Sequence, residues 1–154
     1  MDFAKLEISA VVIVRGGRIL AVYNSSWGDF TLPMTKRRVW QDKRVQAVQL
    51  ESVEHAAARA FVETIGKTAT GLKPLPSHPS VFKQYDRNGE VTDVQITTFR
   101  HDLSPGIEPR ADVMTEWLSV DEWLDSRRMP ISTTAIHILK HAESEAKLVG
   151  KSFP

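Results

Sequence analysis

The chain has 154 residues, 42% of them apolar and 25% charged, which is typical of a single folded domain over residues 1–154. The net charge of +1 gives no overall field that would attract nucleic acid, and the absence of cysteine excludes disulfides, thiolate catalysis and cysteine-ligated metal centres. The sequence shows neither a signal region nor an apolar run near the roughly 18 residues of a membrane span, so we expect a cytoplasmic protein without a membrane partner.

A β-hairpin is predicted near the start of the chain. Residues 6–14 are nearly continuously apolar and rich in β-branched side chains, which predicts a strand buried on both faces. Gly16 and Gly17 then predict a tight turn, and residues 19–23 return as a second strand. The segment Phe30-Thr31-Leu32-Pro33 follows.

The next segment is basic, with five cations within nine residues that are offset only by Asp42. These cations are Lys36, Arg37, Arg38, Lys43 and Arg44. In one interpretation the segment is a flap over a substrate, where the cations hold phosphates and Trp40 stacks on a base. In the other it is a solvated loop whose Val39, Trp40 and Val45 pack on the sheet or on a second subunit. Trp40 is therefore also a candidate contact in a homodimer.

Residues 51–66 predict a helix, because four alanines and several glutamates favour one and Gly66 stands where a left-handed C-cap would end it. At 100° per residue, Val53, Ala57, Phe61 and Ile65 form one apolar arc that must face a core. The opposite side is polar and carries Ser52, His55, Arg59 and Glu63.

Further elements are predicted beyond this helix. Three prolines make residues 72–79 a non-helical connection or an edge strand. Residues 80–87 and 90–103 flank the turn Asn88-Gly89 and predict an antiparallel hairpin. Residues 132–149 predict a terminal helix whose N-cap is Ser132 or Thr133. Periodicity alone indicates an α+β or α/β domain.

The predicted helix over residues 51–66 resembles the second half of the Nudix box, written G-x5-E-x7-R-E-U-x-E-E-x-G-U with U apolar. The matching residues are Glu51, Arg59, Phe61, Glu63 and Gly66. Residues 114–123 are similar to the late strand and short helix of that family. The resemblance covers roughly residues 5–145. It implies an α+β fold, an α/β/α sandwich with a mixed β-sheet between helices and the element order β-β-β-α-β-β-β-α.

In that family, three carboxylates at positions i, i+3 and i+4 of the box helix hold magnesium ions, which polarise a diphosphate and activate water. The resemblance therefore implies Glu63, Arg59 and Glu51 as catalytic residues and Glu63 and Glu51 as ligands of Mg²⁺ or Mn²⁺. The residues also fit simpler roles, since Glu63 can pair with Arg59 at i, i+4 and Glu51 can interact with a helix dipole. The family has a further carboxylate before the last strand, for which the candidates are Glu108, Asp112 and Glu116.

The sequence departs from the box at the metal-binding positions. Ala60 and Thr64 stand where the family has glutamates, so Glu63 is the one that remains. A single carboxylate would hold magnesium weakly, because the ion is normally bound through more than one carboxylate together with substrate phosphate. In addition, Met34 and Thr35 replace a Gly-Gly pair that lets the family's loop approach phosphates closely.

Three functions remain open at this point. The first is a divergent Nudix hydrolase acting on a nucleoside diphosphate-linked compound or another phosphorylated small molecule. The second is a non-catalytic Nudix-like module that binds a nucleotide, a phosphorylated metabolite or a protein partner through the same pocket. The third is an unrelated α+β interaction domain whose match to the box is accidental.

Overall fold

The computed structural model of the chain describes residues 5–42, 44, 47–75, 80–85, 88–89, 91–125 and 127–154. The strands before the first helix are β1 (Lys5–Arg15), β2 (Arg18–Asn24), β3 (Asp29–Thr31), β4 (Met34–Lys36), β5 (Val39–Asp42) and β6 (Ala47–Leu50). The later strands are β7 (Lys73–Pro74), β8 (Ser80–Tyr85), β9 (Val91–Asp102) and β10 (Thr115–Leu118). The helices are α1 (Val53–Ile65), α2 (Val120–Leu124) and α3 (Thr133–Leu148).

An eight-stranded mixed sheet is organised around β1. This strand runs parallel to β9, from the pair Lys5 and Asp93 to the pair Val14 and Asp102. Its other edge pairs antiparallel with β2 and with β4. Strands β10 and β3 add to β2, while β7 and β8 add to β9. The predicted first hairpin and the predicted pairing of β8 with β9 are confirmed.

Helices cover both faces of the sheet. Successive side chains of a strand point to opposite faces, so β1 contributes to two cores. On one face Val12 packs with Trp123 of α2 and Leu139 of α3. On the other face Val11 packs with Phe61 of α1. The mixed sheet between helices confirms the predicted α/β/α sandwich and explains why residues 8–14 are all buried.

The helix predicted over residues 51–66 is α1, but it begins later than predicted. Ser52 is its N-cap, and the Ser52 Oγ accepts a hydrogen bond from the His55 backbone N–H at 3.0 Å. Gly66 ends the helix with φ 82°, as predicted. Because Glu51 lies before the N-cap, it is outside the helix that was expected to include it.

The basic segment includes paired strands, so the loop expected in the second interpretation is wrong, while contact with a second subunit stays a prediction. Strands β5 and β6 pair in a separate two-stranded sheet, here called the arm (residues 39–42 and 47–50). Val39, Trp40 and Val48 are β-branched or aromatic and favour extended pairing. Val39 is 64% exposed and Trp40 is 46% exposed. The expectation that these side chains pack on the main sheet is therefore wrong. Lys43 and Val45 lie outside the described residues.

The predicted order β-β-β-α-β-β-β-α has too few elements, since in the described residues six strands precede α1 and four strands lie between α1 and α2. The elements that were predicted individually after α1 have the expected type. Within residues 72–79, β7 forms an edge strand on β9. The short helix expected within residues 114–123 is α2. Ser132 caps α3, which resolves the choice between Ser132 and Thr133. Across the described ranges, no helix combines the length and apolarity needed to cross a bilayer.

Candidate functional site

A cleft of about 410 Å³ opens beside the second half of α1. Its walls come from α1, from β2 with the turn that leads into β3, and from β4. Val113, on the segment before β10, also contributes. Of the predicted site residues that the structure describes, Glu63 and Lys36 line this cleft.

The three positions of α1 that the resemblance aligns with the family's carboxylates all lie at the cleft. Ala60, Glu63 and Thr64 all line it, as their i, i+3 and i+4 spacing on one helical face predicts. Ala60 and Thr64 are buried, and the Thr64 hydroxyl donates to the Ala60 carbonyl at 3.1 Å. The Glu63 side chain is 57% exposed, with an oxygen 3.5 Å from Arg59 Nη1. Of these three positions, only 63 carries a carboxylate.

Glu51 is a buried structural carboxylate. Its side chain is 1% exposed, and it accepts hydrogen bonds from Arg59 Nε at 3.1 Å, Arg59 Nη2 at 3.0 Å and the Arg38 backbone N–H at 3.0 Å. His55 Nδ1 lies 2.6 Å from its Oε2. The hydrogen bonds from Arg59 are the main cause that lowers the pKa of Glu51 to about 2, with smaller contributions from Arg38 and His55, although burial opposes the shift. Both oxygens are engaged by these partners, which leaves them poorly placed to bind a metal ion.

Arg59 joins α1 to β4 and thereby shapes the cleft. Its Nη1 donates to Thr35 Oγ1 at 3.0 Å, and its Nη2 donates to the Lys36 carbonyl at 2.8 Å. Arg37 supports the same junction, because its Nε donates to the Glu51 carbonyl at 2.6 Å and its Nη1 pairs with Glu7 at 2.9 Å. Arg59 and Arg37 therefore fix the backbone around Lys36, which lines the cleft.

The other predicted substrate-binding residues that the structure describes lie away from the cleft lining. Trp40 is on the arm, where its Nε1 donates to Gln49 Oε1 at 2.9 Å. Arg38 and Arg44 are exposed and do not line the cleft. Lys43 lies outside the described residues. The substrate-binding role predicted for the basic segment thus remains a prediction, and the geometry of the cleft favours it for Lys36.

Sequence reasoning missed the wall formed by the turn between β2 and β3. Trp27, Asn24 and Ser25 line the cleft, together with Tyr23 at the end of β2. Trp27 is 52% exposed, and the Tyr23 ring is supported by Phe30 at a centroid distance of 5.3 Å. A tryptophan within a short polar turn was the available signal, because such a turn cannot bury its indole in the core.

The three candidate loop carboxylates lie outside the cleft lining. Glu108 pairs with Arg15 at 2.9 Å, and Asp112 pairs with Arg110 at 2.7 Å. Glu116 is exposed on β10. Arg110 also ties this segment to the end of α1, since its backbone N–H donates to the Thr64 carbonyl at 2.9 Å.

The donor set does not fit a magnesium or manganese ion. Such ions prefer several oxygen ligands with carboxylates among them, whereas Ala60 offers none and the Thr64 hydroxyl is used within the helix. Within the described part of the chain, no three histidine, aspartate or glutamate side chains are grouped so that they could hold a metal. Glu63 lines the cleft and Glu51 does not, while Arg59 contacts both carboxylates, so the ligand pair of Glu63 and Glu51 stays a prediction.

Comparison with known proteins identifies the fold. Neither the protein-family models nor the curated proteins contain a match to this chain. Solved structures do match. A MutT NUDIX hydrolase from Burkholderia pseudomallei is 24% identical, with 88% of this chain and 96% of that chain covered and a TM-score of 0.58. A MutT protein from Methanosarcina mazei Go1 is 17% identical, with 96% and 99% covered and a TM-score of 0.65. The NUDIX domain of Shewanella oneidensis NrtR, solved as a complex with ADP ribose, is 15% identical, with 94% and 89% covered and a TM-score of 0.55.

Proposed function

Because this chain has the fold of the Nudix hydrolases, we propose that it binds a nucleotide or a similar phosphorylated small molecule in the cleft beside α1. The observation that carries the proposal is the presence of an aromatic group and a cation in one concave site, where Trp27 and Lys36 both line the cleft. Its volume of about 410 Å³ suits a small ligand. The similar NrtR domain, which was solved with ADP ribose, supports the same class of ligand.

Two of the walls contribute groups that would contact the ligand in this proposal. The exposed indole of Trp27 offers a face on which a base can stack, a contact worth about 1–3 kcal/mol. The Lys36 ammonium group pairs with a phosphate as a compact point charge. Asn24 and Ser25 provide polar groups for the sugar or for the edge of the base.

A direct test is calorimetric titration of the protein with ADP ribose, ADP and AMP. Trp27→Ala should weaken binding by about tenfold or more, which corresponds to at least about 1.4 kcal/mol. Lys36→Ala should weaken the binding of phosphorylated ligands and leave the binding of free adenosine nearly unchanged. The matched controls are Trp40→Ala on the arm and Lys140→Ala on α3, both exposed and outside the cleft lining. If no nucleotide binds, or if the controls weaken binding as much as the cleft variants do, the proposal is wrong.

A divergent hydrolase is the second candidate, and the position of Glu63 in the cleft favours it. The test is release of phosphate or of a nucleoside monophosphate from diphosphate derivatives at high Mg²⁺ or Mn²⁺. If the chain is a hydrolase, Glu63→Ala should abolish turnover, while Glu54→Ala should retain it because Glu54 is exposed on the same helix and does not line the cleft. Binding without turnover would favour the non-catalytic module.

A further inference from the structure

The charge of the cleft narrows its ligand class. Among the described residues that line it, Lys36 and Glu63 are the charged ones, so their formal charges cancel. The neighbouring guanidinium of Arg59 adds little, because it is already paired with the buried carboxylate of Glu51 at 3.0 Å. Most of the remaining lining is apolar or aromatic, as at Tyr23 and Trp27.

A diphosphate is poorly matched to such a cleft. A single phosphate monoester carries about −1.5 to −2 charges at neutral pH, and further phosphates add more. Two carboxylates that could recruit a divalent cation to offset this charge are replaced by Ala60 and Thr64. Without a bridging cation, each further phosphate would add negative charge to a cleft that already holds the Glu63 carboxylate, whose side chain is 57% exposed on the α1 wall.

We infer that the cleft takes a nucleoside carrying a single phosphate and binds it without a divalent metal. The base stacks on Trp27, the phosphate pairs with Lys36, and Glu63 disfavours longer phosphate chains. This inference rests on the proposed nucleotide-binding function and specifies the ligand class within it. In this inference, the absence of carboxylates at Ala60 and Thr64 sets the specificity of the cleft for the number of phosphates on the ligand.

The test compares AMP, ADP and ATP by calorimetric titration in the presence of EDTA and again in millimolar Mg²⁺. We expect AMP to bind at least about tenfold more tightly than ATP in EDTA, a difference of about 1.4 kcal/mol. We expect Mg²⁺ to change the Kd of AMP and of ADP by less than about twofold. Glu63→Gln should tighten the binding of ADP and ATP more than that of AMP, because it removes a negative charge from the cleft and the longer phosphate chains carry more negative charge.

A second variant keeps the inference falsifiable if Glu63→Gln perturbs the helix. Ala60→Glu combined with Thr64→Glu places carboxylates at positions 60, 63 and 64 of the cleft face. Mg²⁺ should then lower the Kd of ADP by about tenfold or more. The inference is overturned if Mg²⁺ tightens ADP binding to the unmodified protein by that amount, or if ATP binds more tightly than AMP in EDTA. In both of these cases the proposed nucleotide-binding function still stands. Failure of all three nucleotides to bind would overturn both.

Discussion

The hydrogen-bonded carboxylate of Glu51 should be one of the most sensitive positions for stability. Glu51→Gln keeps the shape of the side chain but removes the charge that Arg59 neutralises. One pKa unit corresponds to about 1.4 kcal/mol, so lowering the pKa from the ordinary 4.5 to about 2 corresponds to about 3 kcal/mol of stability above pH 5. That value agrees with the cost of about 3–5 kcal/mol for breaking a buried ion pair.

The sign of the pH dependence follows from the direction of the shift. Because the pKa of Glu51 is lower in the folded protein than in the unfolded chain, its stabilisation is complete above about pH 4.5 and is lost as the pH falls towards 2. The difference in the free energy of unfolding between the wild type and Glu51→Gln should therefore be about 3 kcal/mol at pH 7 and should approach zero near pH 2.

Urea unfolding followed by circular dichroism at several pH values measures this difference. The matched control is Glu108→Gln, which breaks the exposed pair with Arg15 and should change stability by less than about 1 kcal/mol. A difference between the wild type and Glu51→Gln that stays constant from pH 7 to pH 2, or that does not exceed the control, would refute the reasoning.

Three further predictions concern packing and assembly. Gly66→Ala should destabilise the protein by about 1–2 kcal/mol in urea unfolding, since the residue has φ 82° and an added Cβ would lie 3.1 Å from Arg110 Cγ. Gly66→Asn should lower the free energy of unfolding by less, because asparagine adopts the left-handed conformation more readily than alanine does. Equal losses for the two variants would contradict this account. Trp123→Phe should cost about 1–3 kcal/mol in thermal unfolding, because it removes the buried hydrogen bond from Nε1 to the Ile19 carbonyl at 3.2 Å; an unchanged midpoint would argue against that role. The predicted homodimer should form through the exposed apolar residues of the arm, so the wild type should sediment as a dimer and Val48→Lys as a monomer. A monomeric wild type would exclude the prediction.

Much of the fold was predictable because local patterns and burial agree. The continuous apolar run at residues 6–14 predicted a strand buried on both faces, and β1 is covered by helices on both sides. Gly66 ends α1 as its sequence context predicted. The arm was missed because its pairing depends on residues on either side of a basic stretch, and charge clustering hid the extended preference of Val39 and Val48.

For the site, the sequence alone determined which chemical groups α1 can present: one carboxylate at Glu63 and none at Ala60 or Thr64. This followed from helical spacing, which depends only on local backbone geometry. Tertiary structure decided where the other groups lie. It buried Glu51 against Arg59 and left Trp40 outside the cleft lining. It also placed Trp27, which is distant from α1 in the sequence, in the wall of the same cleft. Contacts between residues distant in sequence depend on how the sheet and helices pack, and residue spacing along the chain carries no information about that packing.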